Sequence, residues 1–403
     1  MKSNYKPIGD YVKQVKLKNK DNSLTVEHLR GIRINKEFMP SVANVTGTDL
    51  SKYRVVKKHQ FAYNPMHVGR DEILPISMLN SEDAIIVSPA YIIFEITDTS
   101  ELLPEYLMIW CRRSEFDRNA WFTTDSSVRG GFSWDDFCGL ELPIPSIEKQ
   151  ASIVKEYHTI TDRIKLNEQL NQKLEDTTQA IYKEWFVDFE FPNEDGKPYK
   201  SSGGEMVFCD ELDMEIPEGW KISSLSLIAT YLNGLAMQKF EPETEEFIPV
   251  IKIKELNQGY TDINSGRAKI NIPKDYIINN SDVVFSWSAS LKVDIWCGGI
   301  GGLNQHLFKV TSDKYNKWFY YLWTKYHLSE FIRIADGNKT SMGHIKREHL
   351  DNAKVLIPTD KQFLKMDKIM NKILNNIILY KKEKLKLNQF KEILLSKMAT
   401  IEG

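Results

Sequence analysis

The chain has 403 residues, 42% of them hydrophobic, which is too much for one ordinary domain and enough apolar surface for two substantial cores. It opens with no basic-then-apolar leader, and its longest apolar runs, such as 91–94, are far too short to span a bilayer, so a soluble, cytoplasmic protein with no membrane partner is expected. The net charge of −2 argues against a uniformly basic nucleic-acid binder, and Cys111, Cys138, Cys209 and Cys297 lack the paired spacing of zinc or redox sites, so reduced thiols and no metal are expected.

In chain order, residues 1–75 form a basic block with 14 Lys/Arg against 7 Asp/Glu. Runs rich in Val, Ile, Tyr and Phe at 84–87 and 90–96 read as strands, and a helix follows around 103–116. A loop holding Gly130 and Gly131 leads to Pro145 and a long helix. There Ile153, Tyr157, Ile160, Ile164, Leu174, Ile181 and Trp185 recur at 3–4 spacing, with Asn167, Asn171 and Thr178 at the intervening seam positions. Residues 188–219 carry 10 Asp/Glu and 2 Lys among prolines and glycines, as in a linker. Strands are expected at 247–253, 282–287 and 307–310, and a helix around 318–334. After Pro358 a second long helix shows Met366, Met370, Ile373, Ile377, Tyr380, Leu387, Leu394 and Met398 at the same spacing, interrupted by Lys384 and Lys391. Its stretch 361–397 holds 10 Lys against 3 acids.

The two halves repeat with a period of about 213 residues, far too long for a solenoid. Trp110 and Trp323, Gly130 and Gly343, and Pro145 and Pro358 are each 213 apart, and Ser114-Glu115-Phe116 recurs as Ser329-Glu330-Phe331. Phe94 matches Phe308, Lys149-Gln150 matches Lys361-Gln362, and Ile181 matches Ile393, all in order. Two copies of one mixed α/β module follow, and because a long helix closes each copy, a pseudo-two-fold relation would pair the helices antiparallel. A helix of 38 residues is about 57 Å long. Two similar but unequal modules on a rigid spacer suit an asymmetric target with two half-sites, which on duplex DNA means about one helical turn of separation.

Several segments carry a family resemblance: LPIPSIEKQ (142–150), QAIYKEWFVDFEFP (179–192), EIPEGWK (215–221), FAYNPMHVGR (61–70), NQH (304–306) and the closing EILLSKMA (392–399). The chain resembles a type I restriction-modification specificity subunit over essentially its whole length. The resemblance implies target-recognition domains at 1–144 and 215–357, spacer helices at 145–190 and 358–403 that form a long antiparallel coiled coil, and a linker at 191–214. It also implies double-stranded DNA and two methyltransferase subunits as partners, with motor-nuclease subunits in some complexes. S-adenosylmethionine, ATP and Mg would sit on those partners, leaving no cofactor and no catalytic residue in this chain.

An adenine methyltransferase and a coiled-coil adaptor are the competing readings. Such an enzyme holds its base with Asn/Asp/Ser-Pro-Pro-Tyr; Ser88-Pro89-Ala90-Tyr91 lacks the second proline, and Asn64-Pro65-Met66-His67 lacks that proline and the aromatic residue. Gly298-Gly299-Ile300-Gly301-Gly302 is followed by an alternating, strand-like run, so no helix N-terminus is offered to a cofactor. Candidate DNA contacts are Asn64, His67 and Arg70 after the run at Phe61, and Ser127 and Arg129 beside Gly130. In the second copy they are Ser286, Ser288, Ser290 and Lys292, and Lys339, Thr340, Ser341 and His344 beside Gly343. Arg, Asn and His suit base edges, and Ser, Thr and Lys suit phosphates. Trp121, Trp287 and Trp296 are assigned to the core. Ile153, Tyr157, Ile160, Ile164, Leu174, Met366, Ile373, Ile377, Tyr380 and Leu387 form the expected partner-binding seam.

Overall fold

The computed structural model describes residues 5–41, 47–66, 68, 72–124, 131–337 and 343–400. The chain divides into two compact units, Met1–Asp162 with Asn388–Gly403, and Arg163–Leu387. Each is mixed α/β.

In the first unit an antiparallel sheet runs Val12–Val15, Ile92–Ile96, Phe61–Tyr63, Ile76–Met78. In the second the order is Thr230–Asn233, Leu307–Thr311, Val283–Ser286, Lys292–Ile295, again antiparallel throughout. The match extends to register. Phe61 lies opposite Phe94 and Phe285 opposite Phe308, so the phenylalanines matched by the repeat occupy one central position in both sheets. A second pairing also recurs, Tyr5–Pro7 with Glu141–Pro143 and Lys221–Ser224 with Lys354–Ile357, and each time the later strand runs into a long helix.

Those helices span Ile147–Phe186 and Asp360–Lys397. A glutamine in the first turn anchors each. The Gln150 amide accepts from Leu103 N (2.9 Å) and donates to the carbonyls of Glu101 (2.8 Å) and Pro145 (3.0 Å). Gln362 accepts from Trp220 Nε1 and Thr359 Oγ1, both at 2.8 Å. Within the second unit the helices run antiparallel. Arg163 makes a bidentate pair with Glu383 (2.9 and 3.2 Å), Glu175 meets Lys381 (3.7 Å), and Trp185 and Met366 line one cavity. A solvent-accessible pair such as Arg163–Glu383 contributes about 0–1 kcal/mol, and the apolar seam of Tyr182, Trp185, Phe186, Met366, Met370, Leu374 and Ile378 supplies most of the cohesion. In the first unit Ile153, Tyr157, Leu395 and Met398 enter that unit's core, and Tyr5 donates its hydroxyl to Ala399 O (3.0 Å).

Two expectations need correction. The helix expected around 103–116 is two helices, Pro104–Cys111 and Ser114–Phe122, and its counterpart is also two, Lys317–Tyr326 and Leu328–Gly337. A polar side chain packs on the repeated tryptophan at each break: the Arg113 guanidinium lies 4.2 Å from the Trp110 ring, and the His327 ring stacks on Trp323. The acidic segment 191–214 is ordered rather than a free linker. Phe189 and Phe191 are buried beneath Trp220, Phe191 stacks on Tyr199 (4.5 Å), and Met206–Cys209 pairs with Met214–Pro217. The glycine run at 298–302 is explained by packing. A Cβ on Gly298 would lie 2.5 Å from the Trp296 ring and one on Gly301 2.7 Å from Ile251, and Gly301–Leu303 is a strand.

Asn171 is buried with its Oδ1 unpartnered among the described residues. Replacing it with Leu should stabilise the second unit by about 1–3 kcal/mol, because the desolvation cost of that oxygen disappears; a lowered thermal midpoint for Asn171→Leu would contradict the seam assignment. His327 offers a pH test. Its Nε2 donates to Lys354 O (2.8 Å), and burial pushes its pKa below the usual value. Below pH about 6.5 the unfolded chain takes up a proton that the folded unit resists, so stability falls as pH drops through that range and levels off beyond the folded pKa. Between pH about 7.5 and 5.5 the melting temperature should fall further for the wild type than for His327→Gln.

Candidate nucleic-acid interface

In the second unit three loops and a returning segment converge at one end of the sheet. Strand Val283–Ser286 leads into Trp287, whose Nε1 donates to Asn233 Oδ1 (2.9 Å). Ser288 Oγ lies 3.1 Å from His306 Nδ1, and the Trp287 ring sits 6.0 Å from His306 and 6.2 Å from His344. Ala289 N donates to Gly343 O (3.0 Å) and Ile345 N to Trp287 O (3.1 Å), fastening the loop after the strand to the segment that follows 338–342. Gly234 admits the backbone of Asn304, since a Cβ there would stand 2.2 Å from Asn304 O. The result is an imidazole pair on a tryptophan, flanked by Asn233, Gln305 and the exposed Ser290.

In the first unit the corresponding described segments also meet. Strand Phe61–Tyr63 ends at Asn64, whose Oδ1 accepts from Met66 N (3.0 Å) and whose N donates to Pro75 O (3.0 Å). Phe132 N donates to Pro65 O (3.0 Å), tying this loop to the segment after 125–130 much as Ile345 N is tied to Trp287 O. The Tyr91 hydroxyl, its pKa pushed up by burial, reaches the Asn64 side chain. Ser88-Pro89-Ala90-Tyr91, weighed above as a methyltransferase motif, is a tight turn closed by Tyr91 N to Ser88 O (3.0 Å).

Of the candidate contacts, His67, Arg70, Ser127, Arg129, Lys339, Thr340 and Ser341 lie outside the described residues. Asn64, Ser290 and His344 lie on the segments just described. Three others are corrected, because their polar groups are committed inside the protein. Ser286 is fully buried and donates to Ser288 O (3.2 Å), Ser288 is buried against His306, and Lys292 Nζ bonds to Leu256 O (3.0 Å) and Asp294 (3.1 Å). Sequence reasoning missed His306 and Asn233; the signal was the NQH tripeptide between two β-like runs. Trp296 is core as expected, whereas Trp121 is 37% exposed and next to Phe122 at 71%.

The basic excess of residues 1–75 is partly neutralised. Arg30 forms a bidentate pair with Glu82 (2.7 and 3.1 Å), and the buried Lys36 holds Asp117 (2.7 Å). Of the expected partner-binding seam, Ile153, Tyr157, Met366 and Ile377 are buried within the chain, and Ile160, Ile164, Leu174, Ile373, Tyr380 and Leu387 are half-buried. The exposed apolar residues of the two helices are others, including Leu166, Leu364, Ile369, Leu379 and Phe390. No helix among the described residues is long and apolar enough to cross a membrane.

Residues 217–389 match the sequence model of the type I restriction modification DNA specificity domain. That stretch of the second half of the chain is thus similar to the specificity domain of type I restriction-modification systems. A relative, the type I restriction enzyme MjaIX specificity subunit of Methanocaldococcus jannaschii, is 28% identical over 286 residues, 67% of this chain and 63% of that protein. The HindI specificity subunit of Haemophilus influenzae is 29% identical over 162 residues, 39% of this chain and 34% of that protein. The matched region thus spans less than two thirds of either relative. The fold is that of a solved specificity-family structure, the S subunit of the type I restriction-modification system from M. genitalium, with a TM-score of 0.53 at 13% identity, covering 99% of this chain and 96% of that one.

Trp287 packs against the imidazoles of His306 and His344, so Trp287→Ala should remove the aromatic contacts without emptying the main core. The NMR signals of His306 and His344 should both move, while the melting temperature falls by no more than the few degrees expected of a half-buried side chain; unmoved imidazole signals would dissolve the site as drawn.

Proposed function

We propose that this chain is the DNA sequence-recognition subunit of a type I restriction-modification complex. In this reading it recognises an asymmetric bipartite target in double-stranded DNA with one unit per half-site and performs no chemistry itself. The observation that carries the reading is the duplicated site: in two sheets of one strand order the turn after the third strand is tied by backbone hydrogen bonds to the segment that begins at 131 or at 343, but with different side chains. Two similar readers with unequal contacts are what an asymmetric, two-part sequence requires.

Asn64 in the first unit and His306, His344 and Ser290 in the second face the DNA, with the tryptophan and the buried serines fixing their geometry. Two methyltransferase subunits, and motor-nuclease subunits where present, dock along the long helices, on exposed residues such as Leu166, Leu379 and Phe390 rather than on the buried seam. S-adenosylmethionine, ATP and Mg belong to those partners. The chain works in the cytoplasm.

The test is methylome sequencing of host cells carrying the wild-type chain, Asn64→Ala or His306→Ala. Each substitution should relax one half of the methylated motif and leave the other intact, with a loss of about 1–3 kcal/mol at the affected base pair. Relaxation of both halves by either variant would overturn the assignment of one unit to one half-site. The purified chain with DNA and S-adenosylmethionine should transfer no methyl groups; robust transfer would support the methyltransferase reading instead.

A further inference from the structure

Four segments of the second unit meet in a charged joint that the DNA-facing site does not use. Asp294 sits on Lys292–Ile295, the edge strand of the recognition sheet, and pairs with Lys381 of the C-terminal helix and with Lys292 (3.1 Å). Lys381 also reaches Glu175 of the central helix (3.7 Å), and Glu175 binds Lys325 (3.2 Å), which the helix Lys317–Tyr326 carries beside the buried Tyr321. Only 20% of the Lys381 side chain and 21% of the Asp294 side chain are exposed. Burial alone would push the Asp294 carboxyl up; Lys381 and Lys292 overcome it and hold the group below its usual range.

The first unit carries no charge at the equivalent position, and the cluster there includes no residue of the long helices. With Phe61 opposite Met78 and Phe285 opposite Val293, the position equivalent to Asp294 is Leu79, which is buried in an apolar cluster. Apolar contact is non-directional and tolerates small rotations, whereas paired charges with hydrogen bonds fix an angle. Replacing both members of a buried ion pair by apolar residues of similar volume is often neutral for stability, so what such a network adds is geometry.

We propose that the Asp294–Lys381–Glu175–Lys325 network is the joint that sets the angle of the second recognition sheet on the helix pair, making these positioning residues for the gap between half-sites. They touch no base. The inference rests on the DNA-recognition reading above and adds to it a determinant of spacing distinct from the determinants of sequence.

The full chain carrying Asp294→Leu with Lys381→Met is the test, with Lys381→Arg as the conservative control. In methylome sequencing the double variant should keep both half-site sequences but methylate sites whose gap is one base pair longer or shorter at least tenfold more than the wild type does, and Lys381→Arg should behave as wild type. An unchanged gap, with or without weaker methylation, overturns the proposal. Amide exchange reads the joint without DNA: protection of 292–295 and 375–384 should fall at least tenfold in the double variant, and unchanged protection counts against the joint. If the wild type itself gives no bipartite motif, the DNA-recognition reading fails, and the exchange result still judges the joint. Should the double variant not fold, Glu175→Gln opens the same network from its outer side and is held to the same outcomes.

Discussion

The constraint on which the structure depends is that neither long helix can stand alone in water. Each carries an apolar seam down its length, and isolated helices owe their stability to tertiary packing of such a face more than to propensity. The chain meets this need twice. Tyr182, Trp185 and Phe186 share a core with Met366, Met370 and Leu374 in the second unit, and Ile153 and Tyr157 share one with Leu395 and Met398 in the first. Each helix therefore begins in one compact unit and ends in the other. In each unit a strand, Glu141–Pro143 or Lys354–Ile357, leads directly into one of the helices.

The interface is then built by local rules. A strand of the sheet ends, an aromatic or Asx-type turn follows, and the turn is stitched by backbone hydrogen bonds to the segment beyond a glycine-bearing loop. In the second unit the stitch buries two serines so that a tryptophan and two histidines hold their places; in the first, Asn64 folds its own turn and meets Tyr91. Polar groups inside the turns are satisfied within the protein, which leaves those at the rim for a ligand.

Much of the fold was legible because repetition amplifies weak signals. Phe94 with Phe308, Gln150 with Gln362 and Trp110 with Trp323 each mean little alone, but the matched order revealed two modules, and each pair occupies related positions in the two units. What stayed illegible was the destination of side chains. Ser286, Ser288 and Lys292 look like phosphate contacts because their types suit one, yet burial and the partners Ser288, His306 and Asp294 claim them. Similarly, charge counting cannot see that Lys36 is enclosed with Asp117, and the acidic composition of 188–219 hid two buried phenylalanines, Phe189 and Phe191, large enough to order it.

The central claim is that the paired helices fix the gap between two separately read half-sites. It is tested most directly by inserting seven residues, two helical turns, after Asp162 and a matching seven after Leu387, where the chain divides between its units. Such an insert lengthens the pair by about 10 Å, or about three base pairs at 3.4 Å each. The methylated motif should keep both half-sites and widen its gap by about that number; an unchanged gap with intact methylation would contradict the account.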